Sequence, residues 1–277
     1  MPSPAITTAT HQRSRGGAAL RFAVARGGTR LVDLHQAAPM RILFPEPEPG
    51  EPPLAALVNT AGGLAGGDAV SVDVALDAGA HAVVSTPAAE KIYRSLGAET
   101  RIAARLDVAA GATLEWLPQE TILFDGARLA RRLDVDVAPG GRLLLAEMLV
   151  FGRHARGEAL RAGSLVDSWR LRRGGALLWA DGLALGDGMR ARLDDPFGFA
   201  GAEACATLIL AADAPLTEAR DAARGAGATA TLARPGLLLL RWLGGAAPVR
   251  QALGECICLL RSRVLGAAPV LPRLWSC

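Results

Sequence analysis

Three carboxylates stand in surroundings that are otherwise apolar or glycine-rich. Asp68 closes the run NTAGGLAGGD (59–68), Glu147 interrupts RLLLAEMLVFG, and Asp181 ends GALLWAD; Glu115, in TLEWLP, is a fourth case. A carboxylate in such a run must be ion-paired, hydrogen-bonded, or turned toward water or a metal, because unpaired burial is costly. The many arginines offer ordinary partners, so a structural ion pair and a polar path both stay open for each. For Asp68 there is a plainer reading, a tight turn in which its side chain bonds its own backbone. A second anomaly lies in STPAAEKIYRS (85–95), which holds the only lysine, Lys91, and the only tyrosine, Tyr93, of the chain. All other members of the 30 basic residues are arginine. A site fitted to a compact ammonium does not take a planar guanidinium without loss, which points to a constrained position. A lysine left on a solvated loop is the alternative. As a proton-transfer pair, Lys91 and Tyr93 lack an accompanying nucleophile or oriented base.

The usual catalytic and nucleotide signatures are missing. NTAGGLAGGD lacks the G-x-G-x-x-G order and precedes a strand rather than a helix, so it does not present a dinucleotide fingerprint. No Gly-Lys-Ser/Thr occurs, which removes a phosphate-binding loop of the Walker type; nucleotide hydrolysis would belong to another protein. Neither G-x-S-x-G nor H-E-x-x-H is present, and His11, His35, His81 and His154 have no metal-ligand spacing. Cys256 and Cys258 form C-x-C in a helical pattern, where positions two apart diverge by about 200°, and read as buried small hydrophobes. No catalytic residue is assigned.

Composition narrows the class. The chain of 277 residues is 51% hydrophobic, enough for one large core, and an all-β architecture of this size is commonly one domain. The formal charge of +3 is spread along the chain with no block of like charge, so neither nucleic acid nor a membrane is an expected partner; the longest apolar stretch, RPGLLLLRWLGG, is short of a bilayer span and broken by Arg241. Four cysteines, Cys205, Cys256, Cys258 and Cys277, make no disulfide framework and suit a reducing cytoplasm. Residues 1–18, rich in small and polar residues and without an apolar segment behind their arginines, read as a disordered tail, leaving 19–277 as a single β-rich domain.

The elements that must position the carboxylates are strands. Period-two alternation runs through Val70, Val72, Val74 and Leu76, through Ile102, Leu106 and Val108, and through Leu133, Val135 and Val137. Each such strand meets a glycine turn, at Gly79, Gly111 and Gly140–Gly141, followed by a more apolar strand; similar turns recur at Gly175 and Gly236. A unit of this kind about every 30 residues suggests stacked β-layers, although the spacing also suits an antiparallel sandwich. The segment FPEPEPGEPPL (44–54) is a proline-rich surface loop. Helical pattern is confined to the last quarter: PLTEARDAARGAG, with an imperfect cap at Thr217, and APVRQALGECICLLRSRVLG, whose stripe Val249, Leu253, Ile257, Leu260 and Val264 closes at Gly266.

Five motifs in this order, NTAGGLAGGD, STPAAEKIYRS, LEWLPQETILFDGA, GRHARGE and APVLPRLW, resemble the UreD (UreH) family of urease accessory proteins over about residues 57 to 275. The resemblance implies a mainly β fold of stacked, solenoid-like sheets with two helices in the C-terminal half. It implies a non-enzymatic role in nickel incorporation into urease, in a complex with UreF and, through UreF, the GTPase UreG on apo-urease. It also implies a polar internal tunnel for Ni²⁺ in transit, with no tight metal site and no tightly bound cofactor. Carried over residue by residue, Asp68 and Glu147 match acidic positions of the family, and Asp181 matches less distinctively; these are the nickel-path candidates. Asn59, Gly62, Gly63, Gly66, Gly67, Lys91, Tyr93 and Arg94 fall within the motifs as structural positions. Carboxylates and water hold Ni²⁺ loosely, whereas clustered thiolate or imidazole would trap it. Glu90 departs from the Thr or Ser usual there, and Phe124-Asp125 departs before Gly126; an acid at 90 would alter the lining or pair with Lys91. The alternative role is a β-rich interaction module that assembles complexes without conducting metal.

Overall fold

The structure is a computed structural model and describes residues 13–186 and 188–276. A hairpin of β1 (Arg15–Ala25) and β2 (Gly28–Ala37) leads to β3 (Met40–Leu43) and β4 (Leu54–Asn59). From β5 (Ala69–Leu76) the chain winds in coils. It turns into β6 (His81–Ser85), passes the short β7 (Glu90–Ile92), and repeats the path through β8 (Thr100–Val108), β9 (Thr113–Leu117) and β10 (Thr121–Leu123). The third coil is β11 (Arg128–Val137) and β12 (Arg142–Arg153), followed by β13 (Glu158–Ala159) and β14 (Ser164–Arg173). Then come β15 (Ala176–Leu185), α1 (Met189–Asp194), β16 (Ala204–Ala211), α2 (Thr217–Gly225), β17 (Thr229–Arg234), β18 (Leu237–Gly244) and α3 (Ala246–Leu260).

Two sheets result. The first has the order β15-β14-β11-β8-β5-β1-β2, with β1, β5, β8, β11 and β14 parallel and an antiparallel hairpin at each edge. The second runs β17-β18-β16-β12-β9-β6-β4-β3, parallel from β4 to β12 and antiparallel outside that span. The coils stay in step because their turns stack: Gly79 N–H donates to Ala110 O at 3.3 Å and Gly111 N–H to Gly140 O at 3.1 Å. These three glycines have φ of 73°, 70° and 78°, left-handed values that a side chain resists, and this, rather than crowding, is why the turns need glycine.

The sheets face each other across one apolar core, to which β12 contributes Leu143, Leu145, Leu149 and Phe151. Its alternate residues Leu144, Ala146, Met148 and Val150 enter a second core beneath α2 and α3, where Val249, Leu253, Ile257 and Leu260 pack. A strand buried on both faces reads as a continuous apolar run, which is why RLLLAEMLVFG shows no alternation.

The mainly β, solenoid-like reading describes the molecule, with three amendments. The tail expected over 1–18 is too long: Arg15 to Ala18 already belong to β1, where Gly16, Gly17 and Ala18 align with Val70, Ser71 and Val72 of β5, and residues 1–12 lie outside the described residues. A third helix, the single turn and a half of α1, joins the two expected in the C-terminal half. The turns at Gly175 and Gly236 are ordinary hairpins, β14–β15 and β17–β18, and add no coil. The last helix does close at Gly266, but Arg261–Leu265 form a π-helical turn that carries Arg261 inward, fully buried. Among the described residues, Cys205, Cys256 and Cys258 are free thiols, and Cys277 lies outside them.

Candidate functional site

The glycine motif and STPAAEKIYRS fold against each other. Leu64 N–H donates to Lys91 O and Tyr93 N–H to Leu64 O, both at 2.8 Å, and the Tyr93 hydroxyl donates to Gly62 O at 2.8 Å. Gly63 lies beneath the tyrosine ring, so closely that an added Cβ would stand 2.5 Å from Tyr93 Cε2. Gly66 is packed on Ser95 and Ala98 in the same way, and Gly67 on Arg13. Arg94 bridges to Ala127, and its side chain covers Gly126. Phe124 packs edge-on to Tyr93 and beneath the Arg153 guanidinium, and Asp125 accepts from Arg161 and Ala162 N–H. Asp68 takes the plain reading: its carboxylate accepts Ser14 N–H and Ala65 N–H, each at 2.8 Å, and closes the loop on itself.

Two cavities open between the sheets. The first, about 190 Å³, is lined near one mouth by Asn59, Gly62, Glu90 and Lys91, and deeper by Trp116, Arg131 and Glu147. The second, about 650 Å³, starts from the same Arg131 and Glu147 and continues past Asp167, Cys205 and Thr207 to Asp181 and Arg241. Of the three nickel-path candidates, Glu147 and Asp181 are therefore brought to one cavity. Asp68 lines neither.

At the shared wall three charged side chains meet inside the apolar core: Arg131, Glu147 and Asp167 are 7%, 9% and 6% exposed. Arg131, on β11, donates from Nε and Nη2 to both oxygens of Asp167 on the neighbouring strand, at 3.0 and 2.7 Å, and from Nη1 across the gap to Glu147 Oε2 at 2.5 Å. Each carboxylate also accepts an indole N–H, Glu147 from Trp116 at 2.9 Å and Asp167 from Trp169 at 3.1 Å. Burial alone would lower the Arg131 pKa, but the charges of Asp167 and Glu147 outweigh it, and the guanidinium stays protonated. Burial pushes Glu147 above the usual carboxylate range, opposed by Arg131 and by the Trp116 bond. The Cys205 thiol beside them is pushed up to about 12, chiefly by burial, and stays protonated at neutral pH.

At the mouths the carboxylates Glu90 and Asp181 are also paired. Glu90 accepts Asn59 Nδ2 at 3.0 and 3.1 Å and Lys91 N–H at 3.1 Å, which fixes this acid to the glycine motif. Asp181 pairs with Arg241 across the sheets and is partly exposed. Glu115 lies on the opposite face of the second sheet, fully buried against Arg261 (2.7 Å) and His81 (2.9 Å), and belongs to neither cavity. The LPQE and LPRLW motifs also meet: Gln119 Nε2 donates to Leu274 O at 2.5 Å and Trp275 Nε1 to Leu117 O at 2.9 Å. Among the described residues, no three His, Cys, Asp or Glu side chains converge to hold a metal ion.

Sequence reasoning missed Arg131, Asp167, Trp116 and Trp169. A signal existed in the alternation: extended back two residues from Leu133, the inward phase of β11 lands on Arg131, and Leu165, Asp167, Trp169 and Leu171 share one phase of β14. Only their meeting with Glu147 needed the fold.

Charges enclosed between two solenoid-like sheets, with a largely apolar cavity on either side, define a layered β protein with a buried ionic cluster between its sheets. The model of the UreD urease accessory protein family matches residues 14–276, and the chain belongs to that family. A urease accessory protein UreD of Granulibacter bethesdensis is 50% identical, over 84% of this chain and 99% of its own length. One from Magnetococcus marinus is 43% identical, over 96% and 95%. Urease accessory protein UreD 1 of Methylobacterium radiotolerans is 46% identical, over 99% and 97%. No described helix is long and apolar enough to cross a membrane.

Proposed function

We propose that the chain is a non-catalytic maturation factor of the cytoplasm that acts on apo-urease as a scaffold and nickel conduit, binding UreF directly and UreG through it. Family membership supports the connection with urease. The observation that carries the conduit is the pair of cavities meeting at Glu147, with Asp167 and Asp181 set along one otherwise largely apolar wall and Asn59 and Glu90 along the other. Carboxylate, amide and hydroxyl oxygens exchange Ni²⁺ readily, and the lining of the second cavity places no histidine and no second cysteine beside Cys205 to trap the ion. Ni²⁺ is cargo on this reading and needs no resident site.

The test is urease activation in cells co-expressing the urease subunits and the other accessory proteins. Glu147→Leu is expected to lower urease nickel content and activity by about tenfold or more, the scale of loss when a group supporting a metal's surroundings is removed, while UreF still co-purifies. Loss of UreF would mean misfolding; full activity with UreF bound would sink the conduit. One observation favours the non-conducting interaction module instead. The junction holds a guanidinium, which repels a divalent cation. Normal activation by both Glu147→Leu and Asp181→Ala would select that reading.

A further inference from the structure

We propose that Arg131 is a gate: its guanidinium closes the junction of the two cavities, and release of its bond to Glu147 opens a continuous passage flanked by two fixed carboxylates. Arg131 and Glu147 are the charged residues that line both cavities, so the junction lies where they touch. The grip is unequal. Two hydrogen bonds hold Arg131 to Asp167 within its own sheet, on a strand in register with it, whereas a single bond reaches Glu147 on the opposite sheet. A small separation of the sheets, or a rotamer change pivoting on Asp167, therefore breaks the Glu147 contact first.

What remains after that release is organised for a cation. Trp116 keeps Glu147 in place and Trp169 keeps Asp167, through bonds that do not involve Arg131. The positive charge of arginine is not removed by titration in a protein, so only movement clears the junction. The closed cluster, one guanidinium between two carboxylates, keeps one net negative charge, which favours a cation at the junction over an anion. A closed state with both carboxylates paired to the guanidinium, and an open state with Glu147 released while Asp167 holds the arginine aside, gives a passage that does not leak cations when no cargo is driven through it. The identity of the cargo rests on the conduit reading; the gate itself rests on the shared wall.

Equilibrium dialysis of the purified chain against NiCl₂ tests it, with folding checked by circular dichroism and thermal melting. Arg131→Met is expected to take up one Ni²⁺ per chain at least about tenfold more tightly than the wild type, because a unit charge at contact distance is removed. The triple variant Arg131→Met/Glu147→Gln/Asp167→Asn should return to wild-type uptake. A folded Arg131→Met with wild-type uptake overturns the gate, as does a triple variant that binds as tightly as the single one. Should Arg131→Met not fold, Arg131→Lys takes its place: one ammonium cannot grip Asp167 at two points and also span to Glu147. Its uptake should lie between the two, and wild-type uptake overturns the gate. Urease activation separates the readings. Gained nickel uptake with unchanged activation dismisses the conduit and leaves the gate standing.

Discussion

Glu90 and Lys91 are neighbours at the mouth of the first cavity, yet the lysine is not what neutralises the acid: Asn59 and the Lys91 backbone N–H occupy the carboxylate. Burial, the largest influence, raises Glu90 above its ordinary value of 4.5, with the Asn59 bonds and then Lys91 pulling it down. The unfolded chain therefore loses this proton at lower pH than the folded one does. Between the two values the folded state holds more protons, and stability falls as pH rises. In urea unfolding, the stability of wild type minus that of Glu90→Gln should drop between pH 4.5 and pH 7; a flat or rising difference would contradict the burial cause. At this scale the sequence was partly legible. Glu147 stood out because β12 is apolar on both faces, so any acid there is conspicuous. Arg131 was hidden among many arginines and Asp167 in a strand whose outward positions include the charged Arg170 and Arg172. A single misplaced phase in a half-polar strand is a weak signal until the strand opposite is known.

The strand β7 and the glycine loop form one interlocked element, and their glycines are constrained for different reasons. Gly63, at φ 152°, has Tyr93 Cε2 at 2.5 Å and Lys91 O at 2.8 Å from the place of a Cβ, whereas Gly62, at φ 72°, has nothing within 4 Å. Gly63→Ala is expected to cost about 1–3 kcal/mol from overpacking against backbone, and Gly62→Ala about 1 kcal/mol from the left-handed conformation alone. Thermal unfolding of the two variants should rank them in that order, and equal losses would mean that the ring does not clamp Gly63. The glycine turns were legible as turns, but not their kind. Gly111 and Gly175 sit in similar local sequence, while one passes the chain to the other sheet and the other returns it to the same one. That choice is made by which surface is left to cover, the second sheet at Gly111 and the open edge of β14 at Gly175, and no local pattern records it.

In the whole molecule, the C-terminal segment is tied down by Arg261. From the π-helical turn it reaches Glu115 on β9, Glu51 in the proline-rich loop, and the carbonyls of Ala268 and Val270, with Glu115 also held by His81. Arg261→Met should destabilise the protein by about 3–5 kcal/mol by stranding Glu115, and Arg261→Met/Glu115→Leu should recover part of the loss. Urea unfolding measures both, and a double variant less stable than the single would show that Glu115 is held by its other partners. The solenoid-like architecture was legible from its thirty-residue rhythm, whereas the two-sided burial of β12 and the antiparallel close of both sheets depend on contacts far apart in the chain. That change of strand direction has a bearing on how such a molecule can vary. Stacked-coil proteins ordinarily tolerate gain or loss of repeats, since each repeat meets only its neighbours. Here Glu147 sits on the strand where parallel pairing with β9 gives way to antiparallel pairing with β16, and Arg131 begins the same coil. An extra coil inserted after β12 would part Glu147 from Thr207 and Arg131 from Asp167. The coil of β11 and β12 is thus the last that this stack can hold without breaking the pairs at the junction.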